Sequence, residues 1–257
     1  MSRLAFITGA SSGIGQALAR QYISQGWDLA LTARRPSELA DWCQAQGWPD
    51  ARWRIYEADV ADVASIVAAG QACLATQGVP DVVIANAGIS IGMDSAVRDD
   101  IDVMARTLAV NNTGMAATFH PFIDPMRQRG QGTLVGIASV AAIRGLPGHG
   151  AYCASKAGVL SYCESLRGEL RGSGVRVVTL LPGYVDTPLT RANRYVMPFL
   201  MPADRFAAKA VRAIARGVSY RVIPWPMAVV AKLLRVLPNP VFDALLAGRP
   251  RKARQTR

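Results

Sequence analysis

Residues 4–15 read Leu-Ala-Phe-Ile-Thr-Gly-Ala-Ser-Ser-Gly-Ile-Gly, a short apolar run that opens into three glycines, Gly9, Gly13 and Gly15. A helical pattern, Gln16 to Ser24, follows at once. Glycine lets the backbone turn tightly and lets anionic oxygens come close to the amides. The helix start adds unpaired N–H groups and a favourable dipole. Strand, glycine turn and helix start together form a site for a dinucleotide pyrophosphate, with Gly9, Ser11, Ser12, Gly13, Ile14 and Gly15 as its residues. The spacing is Gly-x-x-x-Gly-x-Gly, and the motif taken alone also reads as a flexible turn.

The same alternation continues along the chain. Apolar runs recur at 4–8, 29–32, 53–57, 82–85, 133–138 and 176–180, with helical patterns between them at 15–25, 36–46, 63–77, 99–128 and 152–171. Strands alternating with helices predict an α/β fold, a doubly wound parallel sheet covered on both faces. The helix over 99–128 is expected to be interrupted by Pro121 and Pro125. No repeat or linker divides the chain before about residue 190, so residues 1–190 read as one core, 191–221 as a lid with its following helix, and 222–257 as a basic, partly apolar extension.

Ligands of such sheets bind beyond the C-terminal ends of the strands. The polar and glycine signals fall there. The glycine turn follows the first strand, Arg34 the second, Asp59 the third, Asn86-Ala87-Gly88 the fourth, Ser139 the fifth and Pro182-Gly183 the sixth.

Tyr152 and Lys156 are four apart, so on a helix they share a face. An ammonium beside a phenol favours the phenolate and is expected to lower its pKa from about 10. A serine hydroxyl opposite, Ser139, can bond the same carbonyl or alcohol oxygen. This is a proton donor or acceptor for a carbon–oxygen centre.

Thr8-Gly9-x-x-x-Gly13-x-Gly15, Asn86-Ala87-Gly88, Asn111, Ser139, Tyr152-x-x-x-Lys156 and Pro182-Gly183 stand in the order of the short-chain dehydrogenase/reductase family, which this chain resembles over residues 3–190. The resemblance implies a Rossmann-like single domain and hydride exchange between a nicotinamide and a carbonyl or secondary alcohol. It makes Tyr152 the general acid or base and gives Lys156 the tasks of lowering the Tyr152 pKa and bonding the nicotinamide ribose. It makes Ser139 the group that steadies the reacting oxygen. Asn111 would hold, through its backbone carbonyl, a water that links Lys156 to solvent. Asn86, Ala87 and Gly88 would border the cofactor, Asp59 would accept the adenine amino group, and Pro182, Gly183 and Thr187 would face the carboxamide. Plain structural roles remain open: Ser139 or Asp59 as a helix cap, Asn111 as a turn residue, Pro-Gly as a turn. Homodimers or homotetramers are also implied, through the helices at 99–128 and 152–171.

Enzymes of this fold that prefer NAD place an acid at the end of the second strand. Here the segment is Leu31-Thr32-Ala33-Arg34-Arg35-Pro36, with no carboxylate before Glu38. A planar, permanently charged fork suits a phosphate, so NADP(H) is expected over NAD(H), with Arg34 on the 2′-phosphate and Arg35 as second candidate. His149 lies in a glycine-rich loop and reads as a rim residue, and His120 as structural.

Cys43, Cys73, Cys153 and Cys163 show no metal or disulfide spacing and read as reduced core thiols, and no metal site is expected. The first strand begins by Arg3 or Leu4, which leaves no room for a signal peptide, and a cytoplasmic enzyme is expected. Tyr195-Val-Met-Pro-Phe-Leu-Met-Pro202 forms an apolar lid that suits a hydrophobic or bulky substrate, or else packs the lid on the body.

Charge divides unevenly: residues 1–190 carry 15 basic and 16 acidic side chains (net −1), and residues 191–257 carry 14 and 2 (net +12). Three readings of the tail stand: peripheral contact with a membrane face, packing on another subunit or on the substrate cleft, and nucleic-acid binding, which no recognition motif supports. The last five to eight residues are expected to be disordered. Rivals to the oxidoreductase are a dinucleotide-binding redox sensor and a membrane-surface lipid-modifying reductase.

Overall fold

A computed structural model describes residues 2–193, 195–248 and 250–254. The central sheet contains β1 (Leu4–Thr8), β2 (Asp28–Ala33), β3 (Trp53–Glu57), β4 (Val82–Ala85), β5 (Gly132–Ile137), β6 (Val175–Pro182) and, further along, Tyr220–Ile223. All neighbours pair in parallel, in the order β3-β2-β1-β4-β5-β6 with Tyr220–Ile223 at the outer edge. The order reverses between β1 and β4, and that reversal opens the crevice where such sheets take ligands.

Helices α1 (Gly13–Ser24), α2 (Pro36–Ala45), α3 (Val63–Thr76), α4 (Asp100–Leu108), α5 (Gly114–Arg129) and α6 (Gly150–Glu169) connect the strands. β1 is buried along its whole length because helices cover both faces of the sheet. One face packs Ile7, Leu18, Tyr22 and Leu29 with Phe206 and Val211, and the other packs Phe6, Phe119, Phe122 and Leu134 with Val159.

The break in the long helix is not at its prolines. α5 runs through Pro121 and Pro125, and the chain instead widens into one π-helical turn over Ala109–Thr113. Pro121 lies against α3, where a Cβ on Gly70 would sit 2.7 Å from its ring, so packing on a glycine accommodates it. The π turn carries Asn111, as such turns often carry functional residues.

After β6 come β7 (Val185–Asp186), α7 (Pro188–Arg191), β8 (Met201–Pro202), α8 (Ala203–Ala215), β9 (Tyr220–Ile223), α9 (Trp225–Val236) and α10 (Asn239–Leu246). A tail boundary at 222 falls inside β9, whose Val222 and Ile223 are buried in the sheet. The tail then returns over the body. The Gly92 N–H donates to the Ala253 carbonyl at 3.1 Å, and Arg254 bonds Asp100. The disorder expected for the last five to eight residues does not extend to Ala253 and Arg254, which are held by these bonds because the tail finds backbone and carboxylate partners on the body. Residues 255–257 lie outside the described residues.

Candidate active site

The glycine turn is held by contacts that leave no room for larger residues. Gly9 has φ +65, and a Cβ there would lie 2.8 Å from the Ala87 Cα. A Cβ on Gly15 would lie 2.2 Å from the Gly9 carbonyl oxygen. Thr8 ties the ends of β1 and β4 together: its hydroxyl accepts from the Asn86 N–H at 3.0 Å and the Ala87 N–H at 3.1 Å. The Asn86 side chain donates to the Thr8 carbonyl at 2.9 Å.

These contacts frame a cleft of about 300 Å³. Gly9, Ser11, Ser12, Gly13, Ile14, Arg34, Asp59, Asn86, Ala87, Gly88 and Thr187 all line it. It runs from the start of α1, where backbone amides and the helix dipole suit a pyrophosphate, to the exposed guanidinium of Arg34. These residues fit a dinucleotide.

Other positions fall elsewhere. Gly15 supports the turn from behind. Arg35 lies outside the cleft wall and pairs with Glu38 at 3.0 Å, so the second candidate for the phosphate is engaged on its own helix. Pro182 ends β6, and Gly183 packs on α9, where a Cβ would meet Met227 at 2.8 Å. The cap of α3 is Asp62, which accepts from the Ala64 and Ser65 amides. Asp59 instead accepts from the Ala61 N–H at 3.0 Å, with its second oxygen 3.9 Å from Arg34. Arg106, on the polar face of α4, also lines the cleft. No motif in the sequence singles it out.

Ser139, Tyr152 and Lys156 meet beside this cleft. Ser139 caps a short turn by accepting from the Ala141 N–H at 3.2 Å, and it also hydrogen-bonds the Tyr152 hydroxyl. Tyr152 and Lys156 share a face of α6, with the ammonium 5.8 Å from the phenol ring centroid. A Cβ on Gly88 would lie 3.4 Å from the Lys156 Nζ, so the lysine reaches the cleft wall.

The Tyr152 pKa differs from expectation. Burial pushes the phenol up to about 12, opposed in part by its bond from Ser139. Burial pushes the Lys156 ammonium down to about 8, and its Nζ donates to the Ile137 carbonyl at 2.8 Å. The lysine is directed at the end of β5, and desolvation is the largest cause of both shifts.

The Asn111 side chain is fully used. Its Oδ1 accepts from the Ile89 N–H at 2.8 Å, and its Nδ2 donates to the Ile89 carbonyl at 3.0 Å and to Ser155 Oγ at 2.8 Å. It clamps the π turn between the strand β4 exit and α6.

A second cavity, of about 560 Å³, is lined by Leu146, Pro147, His149, Tyr184, Tyr195, Val196, Leu246 and Pro250. Tyr184 and Tyr195 act electrostatically on Tyr152 or it on them, which puts them near its hydroxyl. His149 is buried in the wall of this cavity: its ring lies 3.2 Å from the Pro147 carbonyl through Nδ1 and 3.2 Å from the Tyr195 hydroxyl through Nε2. A proton on Nδ1 satisfies the carbonyl and leaves Nε2 to accept from Tyr195. Burial lowers the His149 pKa, which favours this neutral form. Tyr195 belongs to the lid, and Leu246 and Pro250 to the tail. The four cysteines are buried free thiols, and no cluster among the described residues suits a metal.

A family model described as short chain dehydrogenase matches residues 3–196. An oxidoreductase of Myxococcus xanthus is 39% identical over 245 residues, covering 94% of this chain and 95% of its own. A short-chain dehydrogenase/reductase of Burkholderia phymatum, solved with NAD, has a TM-score of 0.81 at 25% identity and covers 99% of this chain and 98% of its own. An alcohol dehydrogenase from Thermococcus sibiricus, solved with 5-hydroxy-NADP, has a TM-score of 0.74 at 27% identity, covering 87% and 96%. Glycine turn, parallel sheet, Ser-Tyr-Lys cluster and these likenesses agree, and the chain belongs to the short-chain dehydrogenase family of oxidoreductases.

Proposed function

We propose that this oxidoreductase uses NADP(H) in preference to NAD(H) and interconverts a hydrophobic or bulky carbonyl compound with its secondary alcohol. The observation that carries this reading is that Tyr152 shares a helix face with Lys156, whose Nζ reaches Gly88 in the wall of the cleft that ends at Arg34, and interacts electrostatically with Tyr184 and Tyr195, which line the second cavity. Similar proteins bind either dinucleotide, so the preference rests on Arg34 and on the lack of an acid after β2.

The nicotinamide supplies or accepts the hydride. This chain positions and moves the proton. In reduction the carbonyl oxygen sits between the hydroxyls of Ser139 and Tyr152, and Tyr152 donates its proton to it as the alcohol forms. A phenol kept protonated by burial is a competent donor. Lys156, its pKa brought down to about 8 by burial, stabilises the phenolate left behind and helps restore its proton. Oxidation runs the same steps in reverse. Ser11, Ser12 and the α1 amides hold the pyrophosphate, and Arg34 holds the 2′-phosphate. The aromatic cavity favours apolar substituents on the carbonyl.

Titration of NADPH and NADH against the parent and Arg34→Ala proteins tests the cofactor. An equal affinity for the two in the parent would remove the basis for NADP(H). A panel of hydrophobic ketones and aldehydes then tests the substrate class, and turnover confined to small polar carbonyls would overturn it.

A further inference from the structure

Five basic side chains of the C-terminal quarter, Lys209, Arg212, Arg216, Arg221 and Lys232, lie close to exposed apolar groups of α9. α9 buries Met227 and Ala231 on one side. On the other it exposes Trp225, Val229, Leu233 and Val236, the first 70% and the last 75% accessible. These positions fall on one helical stripe. α10 adds exposed Val241 and Leu245. Trp225 also borders a hollow of about 390 Å³ walled by Lys209, Arg212, Arg216 and Arg221, with no carboxylate in its lining. A neighbouring hollow on the other side of Trp225 takes in Arg221 and Lys232. Among the described residues none of these five cations forms an ion pair. The hollow at Lys209 shares no residue with the cofactor cleft or the aromatic cavity.

We infer that this face docks on an anionic phospholipid bilayer, with lipid phosphates in the Lys209–Arg221 hollow and the α9 stripe entering the headgroup–acyl boundary. Uncompensated cations beside exposed tryptophan and aliphatic side chains match that boundary in both charge and polarity. A second copy of the chain is a poorer occupant. A twofold contact through this face would set the same unpaired cations against one another. No helix among the described residues is long and apolar enough to cross a membrane, so the contact is peripheral.

Co-sedimentation of the full chain with phosphatidylcholine vesicles, and with the same vesicles containing phosphatidylglycerol, tests the docking. The chain should sediment with the anionic vesicles, not with the neutral ones, and high salt should release it. The Arg212→Gln/Arg216→Gln and Leu233→Ser/Val236→Ser pairs alter exposed side chains and should each lower partitioning on the order of tenfold. NADPH binding in solution reports that the variants are folded. Equal sedimentation with both vesicle types, sedimentation with neither, or unchanged partitioning of both variant pairs would overturn the inference. Loss of a larger oligomer in Leu233→Ser/Val236→Ser without any vesicle binding by the parent would also overturn it and assign the face to a second copy.

Discussion

Arg254, near the end of the chain, forms two hydrogen bonds to the carboxylate of Asp100 at the start of α4, from Nε at 2.6 Å and from Nη2 at 3.2 Å. Asp100 is buried and accepts a further bond from the Asp94 N–H at 2.7 Å. This pair latches the tail across the loop after β4. The latched segment carries Pro250 into the aromatic cavity and lays Arg251 against Gly148.

Arg254→Ala should therefore loosen the cavity wall and leave the proton chemistry intact. We expect KM for a hydrophobic ketone to rise roughly threefold or more with kcat little changed, the signature of lost uniform binding. Tryptic cleavage at Arg251 and Lys252 should speed up in parallel. The latch also has a pH limit. Arg254 first, and the Asp94 amide second, hold the Asp100 carboxyl below its ordinary value of 3.8. A folded value below the unfolded one stabilises in full above about pH 4 and fades as pH falls through the folded value. The protease sensitivity of the parent tail should rise only in that acid range.

Gly15→Ala should damage the fold itself. The new methyl group would meet the Gly9 carbonyl at 2.2 Å, a backbone atom with no rotamer to yield. Overpacking of this kind costs about 1–3 kcal/mol or more, roughly 2–4 °C of Tm per kcal/mol in a chain of this size. Thermal unfolding with and without NADPH measures it, and the stabilisation by cofactor should shrink as well.

Much of this site is legible in the sequence because each strand end carries its own local signal. Glycines after β1, Arg34 after β2, Asn86 after β4 and Ser139 after β5 are brought together by topology that short right-handed connections dictate. β9 is not legible. Tyr220-Arg-Val-Ile is short, half polar and continuous with the apolar run of α9, so periodicity merges the two. The latch is not legible either, since Asp100 and Arg254 are 154 positions apart and neither has a local pattern. Nor does sequence give the Tyr152 pKa. Four-residue spacing places Lys156 on the right face, but only the folded site shows its ammonium turned to the Ile137 carbonyl and both groups desolvated.

Lys156 should be a stability burden in the cofactor-free protein. Its pKa falls from 10.5 to about 8 through burial. The unfolded chain then binds more protons between those values, so stability rises with pH across that window. At pH 7 Lys156→Met should stabilise the free protein by about 2 kcal/mol after the lost bond to Ile137, while removing activity. The advantage should narrow above about pH 8 and vanish near 10.5. Paired denaturant melts across this pH range check the sign.

Arg34→Ala should separate the two dinucleotides. A charge-assisted contact with a phosphate is worth about 1.5–3 kcal/mol, so NADPH affinity should fall roughly 10- to 100-fold. NADH affinity should stay within about twofold, because Arg34 lies at the exposed rim of the cleft and has nothing to hold there but its distant pair with Asp59.

The most direct measurement is NADPH consumption with a hydrophobic ketone by the parent and by Tyr152→Phe, with NADPH binding measured on both. Loss of the phenolic proton donor should lower turnover on the order of 10²- to 10⁴-fold with NADPH affinity retained. Undiminished turnover in Tyr152→Phe, or no consumption by the parent with any ketone or aldehyde while NADPH binds, would contradict the assignment of Tyr152 as the acid of a carbonyl reductase.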